Sequence, residues 1–88
     1  MNIRNIAFDA EFIEELRRLP VSIQRRAEKA RLLFIENPFH PSLRLHKLSG
    51  KLDGYWNISI NLRYRILLRF QENGDTLFIA VGTHAIYD

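Results

Sequence analysis

The sequence contains no cysteine, which excludes a disulfide framework and a thiolate metal site. No apolar run approaches the roughly 18 residues of a membrane span, and the first residues lack the apolar segment of a secretion signal. The three histidines and few nearby carboxylates show no ligand spacing for a metal, and there is no glycine-rich phosphate loop or nucleophile elbow. We therefore expect a cytoplasmic protein that contacts no membrane and needs no metal or other cofactor.

The basic residues are unevenly distributed along a chain whose net charge is only +3. Residues 9–36 carry six basic and six acidic side chains, whereas residues 40–70 carry six basic side chains and one acidic residue, Asp53. Such an asymmetry is typical of a surface that binds nucleic acid, although the basic face of a small domain can also be merely solvated. The 88 residues are sufficient for one domain with a small core, so residues 1–88 are predicted to form a single domain.

The N-terminal half has the spacing of a strand followed by two helices. Residues 2–8 are apolar enough for a short strand, and Asp9 is predicted to cap a helix that Pro20 ends. Ser22 is predicted to cap a second helix through about Ile35, which ends before Asn37-Pro38. Both helices carry an apolar stripe, so they are expected to form a hairpin that packs on a sheet.

The C-terminal half alternates apolar and polar residues as strands do. Its predicted strands cover residues 44–48, 55–60 and 64–70, and a last one runs from Leu77 towards Gly82-Thr83-His84. The predicted fold is α+β, in which an N-terminal strand and a two-helix hairpin pack on one face of a mostly antiparallel β-sheet.

The turn at Asn73-Gly74 is predicted to set the register of the last hairpin. Asn-Gly is the strongest short signal for a two-residue loop, and such a loop pairs Phe70 with Leu77. The same count pairs Leu68 with Ile79 and Ile66 with Val81, so each apolar residue meets another. Continuing it places Arg65 opposite Gly82 and Arg63 opposite His84, on one open face of the sheet. The other residues predicted on this face are Tyr55, Asn57, Ser59, Phe78 and Ala80.

A histidine beside two arginines has the chemistry that cutting RNA without a metal requires. A base must take the 2′-hydroxyl proton, an acid must protonate the departing 5′ oxygen, and cations must hold the charge that grows on the phosphate. His84 is the candidate for proton transfer and Arg65 for holding the phosphate. Arg63 and Arg69 are candidate RNA phosphate contacts, or they only make this face soluble.

The segment Leu45-His46-Lys47-Leu48 adds further candidates whose orientation the sequence leaves open. His46 and Lys47 should point to opposite faces, but the register does not say which face each one takes. Lys47 and Lys51 are candidates for holding RNA phosphates, with ordinary surface lysines as the alternative. Tyr87 follows His84 by three residues, so it could stack on a base, share in proton transfer or only cover the sheet edge.

The order of these motifs resembles the RelE/ParE toxin superfamily over nearly the whole chain. The residues that carry the resemblance are Asn37-Pro38, Leu45-His46-Lys47-Leu48-Ser49-Gly50, Trp56, Tyr64-Arg65-Ile66 and Gly82-Thr83-His84. The chain is similar above all to the histidine-bearing, YafQ-like branch. The resemblance implies a toxin of a type II toxin–antitoxin system that cleaves messenger RNA on the ribosome and is silenced by a cognate antitoxin in a hetero-oligomer.

The same resemblance implies roles for individual residues. It assigns the catalytic histidine to His84, the phosphate-holding arginine to Arg65, a supporting histidine to His46 and a terminal aromatic to Tyr87. Three positions depart from that branch, which carries ionisable residues where this chain has Ala80, Ser59 and Tyr55. Two alternative functions follow: a ParE-like inhibitor of DNA gyrase, and a toxin-fold protein without catalytic activity.

Overall fold

The N-terminal part of the chain forms one short strand and two helices in a computed structural model that describes residues 5–83. The strand β1 covers Ile6–Phe8, and the helices α1 and α2 cover Ala10–Arg17 and Val21–Glu36. The Asp9 carboxylate accepts a hydrogen bond from the Glu11 amide at 3.0 Å, which confirms Asp9 as the cap of α1.

The start of α2 differs from the prediction, because Pro20 and not Ser22 occupies the capping position. The φ of Pro20 is −53°, and its carbonyl accepts the amides of Ile23 and Gln24 at 2.9 and 3.0 Å. Since the proline ring fixes φ near this value, Pro20 sets the direction in which the chain enters the helix. Ser22 therefore lies within the first turn.

The sheet has five strands in the order β1-β5-β4-β3-β2. Strands β2 to β5 cover His46–Lys47, Trp56–Ser59, Arg65–Phe70 and Thr76–Gly82. Strand β1 pairs with β5 in parallel, whereas the other neighbouring pairs are antiparallel. The short 3-10 turns Pro41–Leu43 and Gly50–Leu52 lie before and after β2. The predicted α+β fold is confirmed.

The core lies between the helical hairpin and one face of the sheet. The other face points away from the helices and is called the open face, although Asn57, Ser59 and Leu67 on it are buried. Phe34 of α2 is completely buried, and its ring lies 5.7 Å from that of Phe78 and 6.1 Å from that of Phe70. The buried side chains of the core are Phe12, Ala30, Phe34, Leu43, Ile58, Ile66, Leu68, Phe78 and Val81. No helix within residues 5–83 is long and apolar enough to cross a membrane.

The β4–β5 hairpin has a different register near its turn from the predicted one. Gly74 has a φ of +90°, whereas Asn73 does not have the positive φ that a two-residue type I′ loop requires at both positions. The Gly74 amide donates to the Gln71 carbonyl at 3.1 Å, and the Gln71 amide donates to the Asp75 carbonyl at 2.8 Å. The loop is therefore one residue longer than predicted.

A β-bulge farther along the hairpin restores the predicted register. Leu68 pairs with Phe78, but Leu67 pairs with Ala80, so Ile79 is an extra residue in β5. The predicted pairs Phe70–Leu77 and Leu68–Ile79 are wrong, and Phe78 lies in the core and not on the open face. Beyond the bulge the predicted pairs are confirmed, including Ile66 with Val81 and Arg65 with Gly82.

Glu15 of α1 completes the hydrogen bonding of β5 beyond the end of β1. Strand β1 pairs with β5 only as far as Phe78. Farther along, Glu15 Oε1 accepts a hydrogen bond from the Val81 amide at 3.0 Å, and Val81 is only 2% exposed. A helix side chain therefore takes the place of a strand next to the end of β5.

We expect Glu15→Ala to lower the free energy of unfolding by about 1–3 kcal/mol, because it leaves a buried amide without a partner. Glu15→Gln keeps an acceptor oxygen, so its loss should be smaller. Urea unfolding measures both, with Glu14→Ala as the control because Glu14 forms only an exposed ion pair with Arg17 at 3.6 Å. Equal losses for Glu15→Ala and Glu14→Ala would contradict this role.

Candidate functional site

The open face of the sheet carries a row of polar side chains from several strands. In the observed register Ser59 of β3 lies beside Arg65 of β4, and Arg65 lies opposite Gly82 of β5. His46 of β2 pairs with Asn57 of β3, which is in phase with Ser59. The structure therefore decides the orientation that the sequence left open, since His46 shares the open face with Arg65.

Arg65 is held in place by the loop between β3 and β4. Its Nη1 donates to the carbonyl oxygens of Asn61 and, at 3.1 Å, of Tyr64. The loop is itself fixed by the Asn61 side chain, whose Oδ1 accepts the amides of Arg63 and Tyr64, each at 2.9 Å. The guanidinium of this half-buried residue is thus oriented by backbone carbonyls, and no carboxylate within residues 5–83 pairs with it, so it is available to bind an anion.

A shallow pocket of about 230 Å³ joins these side chains on the open face, and we call it the Arg65 pocket. It is lined by Arg44, His46, Asn57, Ser59 and Arg65. No carboxylate lines it, and neither Arg44 nor Arg65 forms an ion pair with any other residue within 5–83. Two guanidinium groups and an imidazole without a countercharge favour the binding of a phosphate.

Arg44 is the pocket residue that the sequence analysis missed. It ends the 3-10 turn Pro41–Leu43 with a φ of 49° and a ψ of 45°, the only positive φ outside glycine among residues 5–83. A left-handed conformation of this kind costs a non-glycine residue about 1–3 kcal/mol and is concentrated at functional sites. The only signal in the sequence was a basic residue close to His46, because the left-handed backbone of Arg44 places it outside any strand pattern.

The remaining predicted RNA contacts do not line the Arg65 pocket. Arg69 lies on the same open face, with its guanidinium carbon 6.0 Å from the centre of the Tyr55 ring. Arg63 is exposed in the loop between β3 and β4, two residues before β4 begins. Lys51 is exposed in the 3-10 turn Gly50–Leu52.

Lys47 lies on the opposite face of the sheet from His46. It pairs with Trp56, whose ring packs against Phe70 at 5.4 Å on the side of the helices. Lys47 is exposed in β2, which is an edge strand. The structure therefore does not bring Lys47 to the Arg65 pocket.

The two C-terminal candidates, His84 and Tyr87, lie outside the described residues. Strand β5 is described to Gly82, directly opposite Arg65, and Thr83 follows it. The pairing of Arg63 with His84 and the roles of both C-terminal side chains stay predictions. Within residues 5–83, no group of three or more histidines and carboxylates could hold a metal ion.

A helical hairpin on one face of a five-stranded sheet is the architecture of the RelE/ParE toxin superfamily. Residues 21–88 match the ParE-like toxin domain family, so the chain belongs to that family. No curated protein matches the chain in sequence.

Several solved structures share this fold at low sequence identity. YafQ from E. coli strain BL21(DE3) is 18% identical with a TM-score of 0.74, covering 96% of this chain and 97% of that chain. The YoeB/ParE toxin from Agrobacterium tumefaciens is 15% identical with a TM-score of 0.77, covering 92% and 99%. RelE in the RelB–RelE antitoxin–toxin complex from Methanococcus jannaschii is 22% identical with a TM-score of 0.70, covering 93% and 95%.

Proposed function

We propose that this toxin is a ribosome-dependent endoribonuclease that cleaves messenger RNA in the cytoplasm without a metal ion. The observation that carries the proposal is the Arg65 pocket, in which Arg65, Arg44 and His46 meet with no carboxylate among its lining residues. Phosphate transfer within RNA needs positive charge around the phosphate and groups that move protons, and it needs little else from the protein.

In the proposed reaction the 2′ hydroxyl oxygen attacks the adjacent phosphorus. A base accepts the hydroxyl proton, the bond to the 5′ oxygen breaks, and an acid protonates that oxygen. The products are a 2′,3′-cyclic phosphate and a free 5′ hydroxyl, so no water is consumed. His84 is the proposed proton-transfer residue, and His46 and Tyr87 assist it.

Arg65 is the proposed group that holds the charge of the transition state. Its hydrogen bonds to the carbonyls of Asn61 and Tyr64 orient the guanidinium before the RNA arrives. A preoriented donor costs little reorganisation when charge develops on the phosphate oxygens. Arg44 lines the same pocket and is proposed as a second phosphate contact, while Arg63, Arg69 and Lys51 bind RNA farther from the cleaved bond.

A cognate antitoxin is the proposed protein partner. Two of the solved structures with this fold are complexes of a toxin with its antitoxin, the E. coli DinJ–YafQ complex and the RelB–RelE complex from M. jannaschii. An antitoxin that covers the basic open face would block access to the Arg65 pocket. The pair would then form a toxin–antitoxin hetero-oligomer.

The test is to incubate the purified protein with translating ribosomes and a defined message. We expect cuts within the message that depend on ribosomes and leave 2′,3′-cyclic phosphate ends, which primer extension and end-group analysis detect. Messages that stay intact would contradict the proposal, and so would cuts that leave a 3′ hydroxyl.

The alternative function is ParE-like inhibition of DNA gyrase, against which the set of His46, Arg65 and His84 argues. A supercoiling assay with purified gyrase separates the two activities, because an enzyme that cleaves by attack of the 2′ hydroxyl cuts RNA and leaves the supercoiling of DNA unchanged. If neither assay shows activity and induced expression does not arrest growth, the remaining alternative is correct, and the chain is a toxin-fold protein without catalytic activity. The neutral residues Ser59 and Ala80 on the open face are the reason to keep that alternative.

A further inference from the structure

Three pockets run together around the end of the sheet at the β3–β4 loop. The Arg65 pocket shares Arg44 and Ser59 with a second pocket of about 450 Å³, which Ser42, Asn61 and others line. Ser42 and Ser59 also line a third pocket of about 190 Å³ between α2 and the sheet. Because they share these lining residues, the three pockets adjoin one another from the open face to α2, and we call them together the cationic groove.

The far end of the cationic groove carries two more basic side chains, Arg26 and Lys29 of α2. They are three residues apart and therefore neighbours on one face of the helix. Neither forms an ion pair within residues 5–83, whereas Arg31, two residues farther along, is paired with Glu28. The hydrogen bond from Arg31 lowers the pKa of the Glu28 carboxyl below its usual value. The charge of Arg31 is therefore neutralised by Glu28, whereas Arg26 and Lys29 have no such partner within residues 5–83.

Positive charge is the dominant feature of the whole groove. None of the residues that line the three pockets is acidic, although α1 and α2 carry several carboxylates elsewhere. The cations occur at both ends and in the middle, at Arg65, Arg44, Arg26 and Lys29. A bent, uniformly basic depression fits a chain of phosphates.

We infer that single-stranded RNA which enters or leaves the Arg65 pocket follows the cationic groove, with Arg26 and Lys29 holding its backbone phosphates at the far end. The inference rests on the proposed function, because it extends the same RNA site. A duplex is too stiff to turn around the end of a sheet in a molecule about 30 Å across, whereas a single strand bends freely. Among residues 5–83, no aromatic ring lines the second and third pockets, so the groove beyond His46 offers no stacking surface and should not distinguish between bases.

The experiment measures binding without cleavage. Fluorescent 2′-O-methyl 12-mers of uridine and of adenosine lack the attacking hydroxyl, so they stay intact on the active protein. Fluorescence anisotropy between 50 and 200 mM KCl gives the dependence of the binding constant on salt. Each phosphate contact on a single strand contributes about 0.7 to the slope of log K against log salt.

We expect the double variant Arg26→Ala/Lys29→Ala to reduce the magnitude of this slope by about 1.4. The ratio of wild-type to variant affinity should therefore be about sevenfold larger at 50 mM than at 200 mM KCl. The reduction should be equal for the two 12-mers. The matched control is Arg18→Ala/Arg25→Ala, which also removes two exposed cations. Arg18 lies at the end of α1 and Arg25 lies in α2, and neither lines the groove, so the slope should stay unchanged. The variant Arg26→Gln/Lys29→Gln repeats the test with long polar side chains, so that it removes the two charges without exposing the apolar surface that alanine would.

An unchanged slope in both groove variants would overturn the inference, as would an equal change in the control, which would indicate net charge alone. The outcome is separable from the proposed reaction. If messages stay intact but the slope falls as expected, the groove binds RNA and the proposed cleavage is wrong. If messages are cut but the slope does not change, the cleavage stands and the groove is not the RNA path.

Discussion

Arg65→Ala is expected to lower the rate of messenger RNA cleavage by about 10²–10³-fold, the loss typical of removing one preoriented donor from a site where charge develops. The effect is large because Arg65 is fixed by the Asn61 and Tyr64 carbonyls and pairs with no carboxylate within residues 5–83. A single-turnover assay on ribosomes with a bound message measures the rate directly. Arg25→Ala is the control, since it removes one exposed cation from the helical side.

The loss in Arg65→Ala should appear in the rate at saturating protein and not only in binding, because negative charge on the phosphate oxygens is greatest in the transition state. Arg65→Lys keeps the charge but not the planar group that reaches a phosphate and two carbonyls together, so we expect it to recover only part of the rate. A loss in Arg65→Ala no larger than that of the control would show that Arg65 is not part of the reaction.

Phe78→Ala is expected to lower the free energy of unfolding by about 3–5 kcal/mol, the usual cost of removing a buried phenylalanine ring. Phe78 is 1% exposed, and its ring lies 5.6 Å from that of Phe12 and 5.7 Å from that of Phe34. Since a small domain is stabilised by about 5–15 kcal/mol in total, this change removes a large part of its stability. Urea unfolding followed by circular dichroism measures it.

Ile79→Ala is the matched comparison, because it changes the neighbouring residue of the same strand. Ile79 is the extra residue of the bulge and is only partly buried, so its loss should be less than half that of Phe78→Ala. The two-residue loop predicts the reverse order, with Ile79 in the core and Phe78 on the open face. If Phe78→Ala does not fold, Phe78→Leu removes less volume and preserves the comparison; a greater loss in Ile79→Ala would contradict the bulge.

The open-face position of Arg65 could be predicted although part of the hairpin register was wrong. The loop at Asn73-Gly74 is one residue longer than predicted, which shifts the pairing of β4 with β5 by one residue. The bulge at Ile79 inserts one extra residue into β5 and shifts the pairing back. These two shifts cancel, so Arg65 faces Gly82 as predicted. Asn-Gly is compatible with more than one type of turn. The choice between them depends on which residues the core buries, and the local sequence carries no information about that packing.

The positions of His46 and Arg44 show where local pattern is insufficient. Alternation requires His46 and Lys47 to lie on opposite faces, but only the pairing of His46 with Asn57 decides between them. That pairing depends on a strand of two residues, too short for a periodic signal. Arg44 lies before this strand with a left-handed backbone, so no strand pattern includes it.

The position of β5 in the sheet determines when the protein can fold during its own synthesis. Strand β5 lies between β1 and β4, and its parallel pairing with β1 joins Ile6 to Thr76, almost the two ends of the described chain. Contacts between residues so distant in sequence form late, because the intervening chain must be ordered first. A nascent chain therefore lacks the partner strand of Arg65 and a central part of its core until β5 has been synthesised, so the Arg65 pocket can form only after that point.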